Sequence, residues 1–90
     1  MHELSLLNDL LKKIRQIALE QQPDLLQSVT VELGALAHIS ADHFREHFAD
    51  AVAGTELENL ELEVIVDEDV NAPTAQDIML KSVDLMSVDA

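Results

Sequence analysis

Ninety residues with an apolar fraction of 48% suffice for one small domain with its own core, and they argue against disorder along the whole chain. A formal net charge of −13, with Lys12, Lys13, Arg15, Arg45 and Lys81 as the entire basic complement, opposes binding to nucleic-acid phosphate or to an anionic membrane surface. The chain has no cysteine, which excludes disulfides, thiolate metal sites, iron–sulfur clusters and a cysteine nucleophile.

Leu4, Leu7, Leu10, Leu11, Ile14, Ile17 and Ala18 recur at steps of three and four, predicting an amphipathic first helix. Pro23 closes it, because Gln22 ahead of a proline is pushed out of helical geometry. Val29, Val31 and Leu33 alternate with Thr30 and Glu32, the pattern of a strand with one buried face, and Gly34 ends that strand. A second helix starts after Ser40 as N-cap, with Ile39 placed to staple against Phe44. Phe44, Phe48 and Val52 form its apolar stripe, and Gly54 suits the residue after its end. Leu60, Leu62, Val64 and Val66 alternate with charges as another strand, and Ile78 to Val88 is strand-like with weaker periodicity. Asp67 to Gln76, with Pro73, is a linker or broad turn between them.

The order is helix, strand, helix, strand, strand. A strand–helix–strand unit predicts parallel strands joined by a right-handed crossover, and the last strand fits an antiparallel edge. The expected fold is α+β, with two helices on one face of a small three-stranded mixed sheet, in a single module over 1–90. No apolar run is long enough to span a membrane, and the start lacks the features of a signal peptide, so a cytoplasmic protein is expected.

Chemistry is concentrated at the start. Met1-His2-Glu3 sets an imidazole one residue after the terminal amine and directly before the first helix. His2 is too bulky for the usual removal of the initiator methionine, so Met1 is expected to stay. The amine, the imidazole and neighbouring backbone amides are nitrogen donors of the kind that suit Ni(II) or Cu(II) in tetragonal geometry. An α-amine titrates near pH ~8 and a histidine near ~6.5, so affinity should fall as pH falls. The positive end of a helix favours the neutral amine and repels the cation, by ~0.3–1 kcal/mol at an exposed site. Deprotonated amides offset that repulsion. A few exposed donors bind reversibly, which suits a carrier.

The other histidines admit several readings. His43 and His47 lie four apart on the second helix with Asp50 one turn on, so they form either a secondary metal site or a solvated stripe beside Phe44 and Phe48. His43-Phe44-Arg45-Glu46-His47 also fits the His-x-x-Glu-His pattern of inverted zinc peptidases, but those folds need more chain for a third ligand and a cleft. His38 is an ordinary loop residue. The acidic run Glu56, Glu58, Glu61, Glu63, Asp67, Glu68 and Asp69 reads as a solvated face, since it lacks the glycine-turned loop of a dedicated calcium site. Lys12, Lys13 and Arg15 form a small basic patch that is either solvated or orients a docking partner. Only Gly34 and Gly54 occur, and neither belongs to a nucleophile elbow or a phosphate-cradling loop.

Several of these segments together resemble the HypA/HybF nickel metallochaperones of hydrogenase maturation. They are Met1-His2-Glu3-Leu4-Ser5-Leu6, Val31-Glu32-Leu33-Gly34-Ala35-Leu36, the helix from His43 to Val52, Leu60-Glu61-Leu62-Glu63-Val64 and the strand from Met79 to Met86. The resemblance implies that transient Ni(II) is held by Met1 through its amine, His2 through side chain and backbone, and Glu3 through backbone nitrogen. It also implies docking with an accessory GTPase and delivery to the hydrogenase large subunit, or in some members to urease. The family inserts a zinc module with two Cys-x-x-Cys pairs between the last two strands, where this chain has Asp67 to Gln76, so no zinc is expected. The expectation is a carrier and not an enzyme, acting as a monomer or weak dimer. The alternative is a metal-independent interaction module that retains the fold.

Overall fold

The computed structural model describes residues 2–87, with side chains from Ser5 onward. Five elements follow in order: α1 His2–Glu20, β1 Leu25–Leu33, α2 Ala41–Val52, β2 Glu61–Val66 and β3 Ile78–Met86. The sheet order is β2-β1-β3, with β1 parallel to β2 and antiparallel to β3. This is the α+β architecture expected from the periodicities, with both helices packed on one mixed sheet.

Its layers follow from where the apolar residues fall. In α1, Leu7, Leu10, Leu11 and Ile14 are buried, while Lys12 and Lys13 face solvent. Val29, Val31 and Leu33 of the central strand are almost wholly inaccessible and meet the buried stripe of α2, Phe44, Phe48 and Val52. The two phenyl rings lie 6.2 Å apart and tilted. Between the buried positions of β1, Ser28, Thr30 and Glu32 point to the other face, where β2 sets Glu61, Glu63 and Ile65 beside them. One side of the sheet is therefore core, and along Ser28 to Glu32 the other is polar apart from Ile65 and Met79.

The ends of α2 are built as its sequence implies. Ser40 accepts a hydrogen bond from the His43 amide at 3.1 Å, and Ile39 is half-buried against the core that holds Phe44. Ala53 donates back to Ala49, and Gly54 follows with φ 75, the left-handed geometry in which glycine avoids a steric penalty.

Two boundaries differ from the sequence reading, and β3 carries an internal irregularity. β1 starts at Leu25, four residues before Val29, because Gln27 is an extra residue between Leu26 and Ser28 in the pairing with β3 and breaks the alternation. β3 has its own extra residue, Lys81, between the positions paired to Thr30 and Val31, so its core-facing residues run Ile78, Leu80, Val83. That irregularity is the source of its weak periodicity. β3 ends at Met86, and Val88 lies outside the described residues.

The segment from Asp67 to Gln76 is a turn docked on the body of the fold. Gly34 donates to the Asp77 carbonyl at 2.9 Å, Leu36 donates to the Ala75 carbonyl at 2.7 Å, and Ala75 is buried. A β-carbon on Gly34 would collide with the carbonyls of Thr74 and Ala75. Gly34 therefore does more than end β1: its missing side chain lets two backbones meet.

Candidate metal centre

Short connections turn the chain from α1 into β1 and from β1 into α2, so both helices run against β1. Both consequently begin at the end of the sheet where β1 and β2 finish and β3 starts. The first turn of the α1 backbone, the turn from Gly34 to Ser40 and the docked segment before Ile78 share that end.

Of the three residues expected to bind metal, Met1 lies outside the described residues. His2 and Glu3 form the first positions of α1, with their backbone alone described. The first four N–H groups of an α-helix have no carbonyl partner within it. Because α1 starts at His2, the amides of His2 and Glu3 are not committed to helical hydrogen bonds. Surrendering their protons to a metal ion would break no bond of the helix. The donor set is thus chemically compatible with a tetragonal nitrogen site at this place.

His38 stands in the turn between β1 and α2 with φ 63, exposed, as the one non-glycine residue in left-handed geometry among those described. Histidine tolerates that region better than most side chains, yet nothing in the local sequence marks the position. His43 and His47 are both exposed on α2. Among the described residues, no three or more His, Asp or Glu are grouped to share a metal ion. The inverted-peptidase pattern around Glu46 thus gains no third ligand there.

The surface grooves lie elsewhere. One runs under Arg45, Phe48 and Val52 against Leu60 and Leu62, where the Arg45 guanidinium donates to the Leu62 carbonyl at 3.0 Å. A more apolar one, lined by Leu25, Leu26, Leu57, Leu60 and Met86, sits at the end of the sheet opposite the start of α1. No helix among the described residues is long and apolar enough to cross a membrane.

A protein-family model described as hydrogenase/urease nickel incorporation, metallochaperone, hypA matches residues 1–73, which takes in α1, β1, α2 and β2. Among curated proteins, the hydrogenase maturation factors HypA of Chloroflexus aggregans and of two strains of Chloroflexus aurantiacus are each 39% identical over 62 residues. The aligned part covers 69% of this chain and 54% of each relative, so the chain spans about half the length of the curated relatives it matches. With four of its five elements inside the family model and the Met-His-Glu start among them, this chain belongs to the HypA family.

Proposed function

We propose that this chain is the nickel-carrying module of a metallochaperone for hydrogenase maturation, with Met1, His2 and Glu3 as its metal ligands. The observation that carries the reading is the start of α1 at His2, which leaves two helix-start amides uncommitted in the same stretch of sequence that supplies an amine and an imidazole. Met1 would bind through its amine, His2 through its imidazole and amide, and Glu3 through its amide. Nitrogen donors without thiolates hold the ion reversibly, as a carrier requires. Family membership supports this role, and the family description adds urease as a second recipient class. An accessory GTPase and the immature hydrogenase large subunit are the proposed partners, with the ion handed on and no covalent chemistry performed by the chain.

The test is a calorimetric Ni(II) titration near neutral pH on protein beginning at Met1, run beside His2→Ala and a version whose terminal amine is acetylated. The expected result is a saturable site whose tightest step disappears in both variants. Affinity of the unaltered chain should also drop as pH falls through the ordinary range of histidine, because protons compete for the same nitrogens. Tight binding that survives both changes would overturn the assignment of ligands. Absence of tight binding in all three would leave a fold-retaining interaction module as the better reading.

A further inference from the structure

We propose that His43 and His47 form a two-imidazole chelate for a divalent transition-metal ion on the exposed face of α2, separate from the chain's start. Residues four apart on a helix stand one above the other, with β-carbons ~5–6 Å apart. Paired histidines at this spacing are how helical zinc motifs seize an ion with two ring nitrogens. Both side chains here are exposed on a well-anchored helix, whose opposite stripe of Phe44, Phe48 and Val52 is buried. His43 takes part in the Ser40 cap through its backbone amide, which leaves its ring uncommitted among the described residues. The helix needs no rearrangement to present the pair.

Charge on α2 favours a cation at this spot. At 3.6 residues per turn, His43 and His47 are separated by only roughly 40° around the axis, and Glu46 and Asp50 flank them on the solvent side. Arg45, the one basic residue of the helix besides the histidines, projects from the other flank and is tied to the Leu62 carbonyl of β2. A chain with a net charge of −13 further raises the local concentration of divalent ions. Imidazole donors suit Ni, Cu and Zn. No third His, Asp or Glu joins the pair among the described residues, so water completes the coordination and the ion exchanges readily.

The proposal does not depend on the metal centre at Met1, and the experiment keeps the two apart. Ni(II) alone is titrated into protein with an acetylated terminal amine and His2→Ala, followed by calorimetry and by the thermal midpoint. The same titrations are made on that protein with His43→Ala, His47→Ala or His38→Ala. The expected result is one saturable site and a Ni(II)-dependent rise in midpoint. Both effects should be weakened at least ~10-fold by either substitution on α2, since a chelate needs both rings, and left intact by His38→Ala. Metal-free midpoints should stay alike for His43→Ala and His47→Ala, because those side chains are exposed. No saturable binding in the acetylated His2→Ala chain overturns the proposal. So does binding indifferent to His47→Ala, or an equal loss in His38→Ala, which would signify scattered single-histidine contacts.

Discussion

The two glycines are needed for different physical reasons, and alanine at each separates them. At Gly54 nothing lies within 4 Å of where a β-carbon would stand, but φ is 75, so alanine is penalised by backbone geometry alone, by ~1–2 kcal/mol. At Gly34 the added carbon meets the carbonyls of Thr74 and Ala75, which are backbone and cannot rotate away. Gly34→Ala is expected to destabilise the fold by ~3 kcal/mol or more, the severe end of overpacking. Urea denaturation of both variants checks this, and the explanation fails if Gly54→Ala is the more damaging. Gly54 was legible in the sequence, because a glycine just past an apolar stripe at helical spacing has a local meaning. Gly34 was legible only as a strand end, since the segment that presses on it is some forty residues further along. The same division holds for the histidines: His2 stands out within the contiguous triplet proposed as metal ligands, whereas the left-handed His38 is set by how β1 turns into α2.

Elements whose pattern is regular were read almost to the residue, and those carrying an irregularity were not. α2 declares itself through Ile39, Ser40, Phe44 and Gly54, all of them local signals. β3 does not, because Lys81 is inserted between Leu80 and Ser82 and moves the next core residue from the expected position to Val83. A one-residue slip turns a strand's side chains to the other face, so an extra residue must be absorbed somewhere, and here the bulge absorbs it. Deleting Lys81 should therefore restore plain alternation, with Leu80 and Val83 still on the core face. The lost ion pair to Glu32, 3.3 Å between partly exposed groups, is worth at most ~1 kcal/mol. Deleting Met79 instead brings Ile78 and Leu80 next to each other and forces one of them out of the core, at ~1.5–3 kcal/mol. Denaturation midpoints of the two deletions decide it: near-native stability for the first and a large loss for the second is expected, and the reverse order would mean that the bulge itself is essential to the sheet.

At the scale of the molecule, eighteen acidic against five basic residues leave a field that the fold barely neutralises. Among the described residues the ion pairs are Arg15 with Glu56 and Lys81 with Glu32, both with partly exposed partners. Most carboxylates are thus held near one another with only solvent between them, and compaction raises that repulsion relative to the unfolded chain. Salt shortens the reach of such forces from ~30 Å at 0.01 M to ~3 Å at 1 M. The thermal midpoint should consequently rise with NaCl, by several degrees for each ~1 kcal/mol of repulsion removed. The same field acts between copies. Among the described residues β2 and β3 are both open edges, and Ile65, Val66, Leu85 and Met86 on them are about 40–50% exposed, which makes strand-to-strand pairing chemically available. Repulsion between two chains of −13 opposes it. Light scattering at fixed protein concentration is therefore expected to report monomer at low ionic strength and an increasing dimer fraction as salt is added, alongside the rising midpoint. A midpoint that falls with salt would mean that attractive pairs outweigh the carboxylate field. A mass that stays monomeric while the midpoint rises would show that the open edges are protected by their own geometry, through Arg45 on the Leu62 carbonyl and the bulge at Lys81, and not by charge.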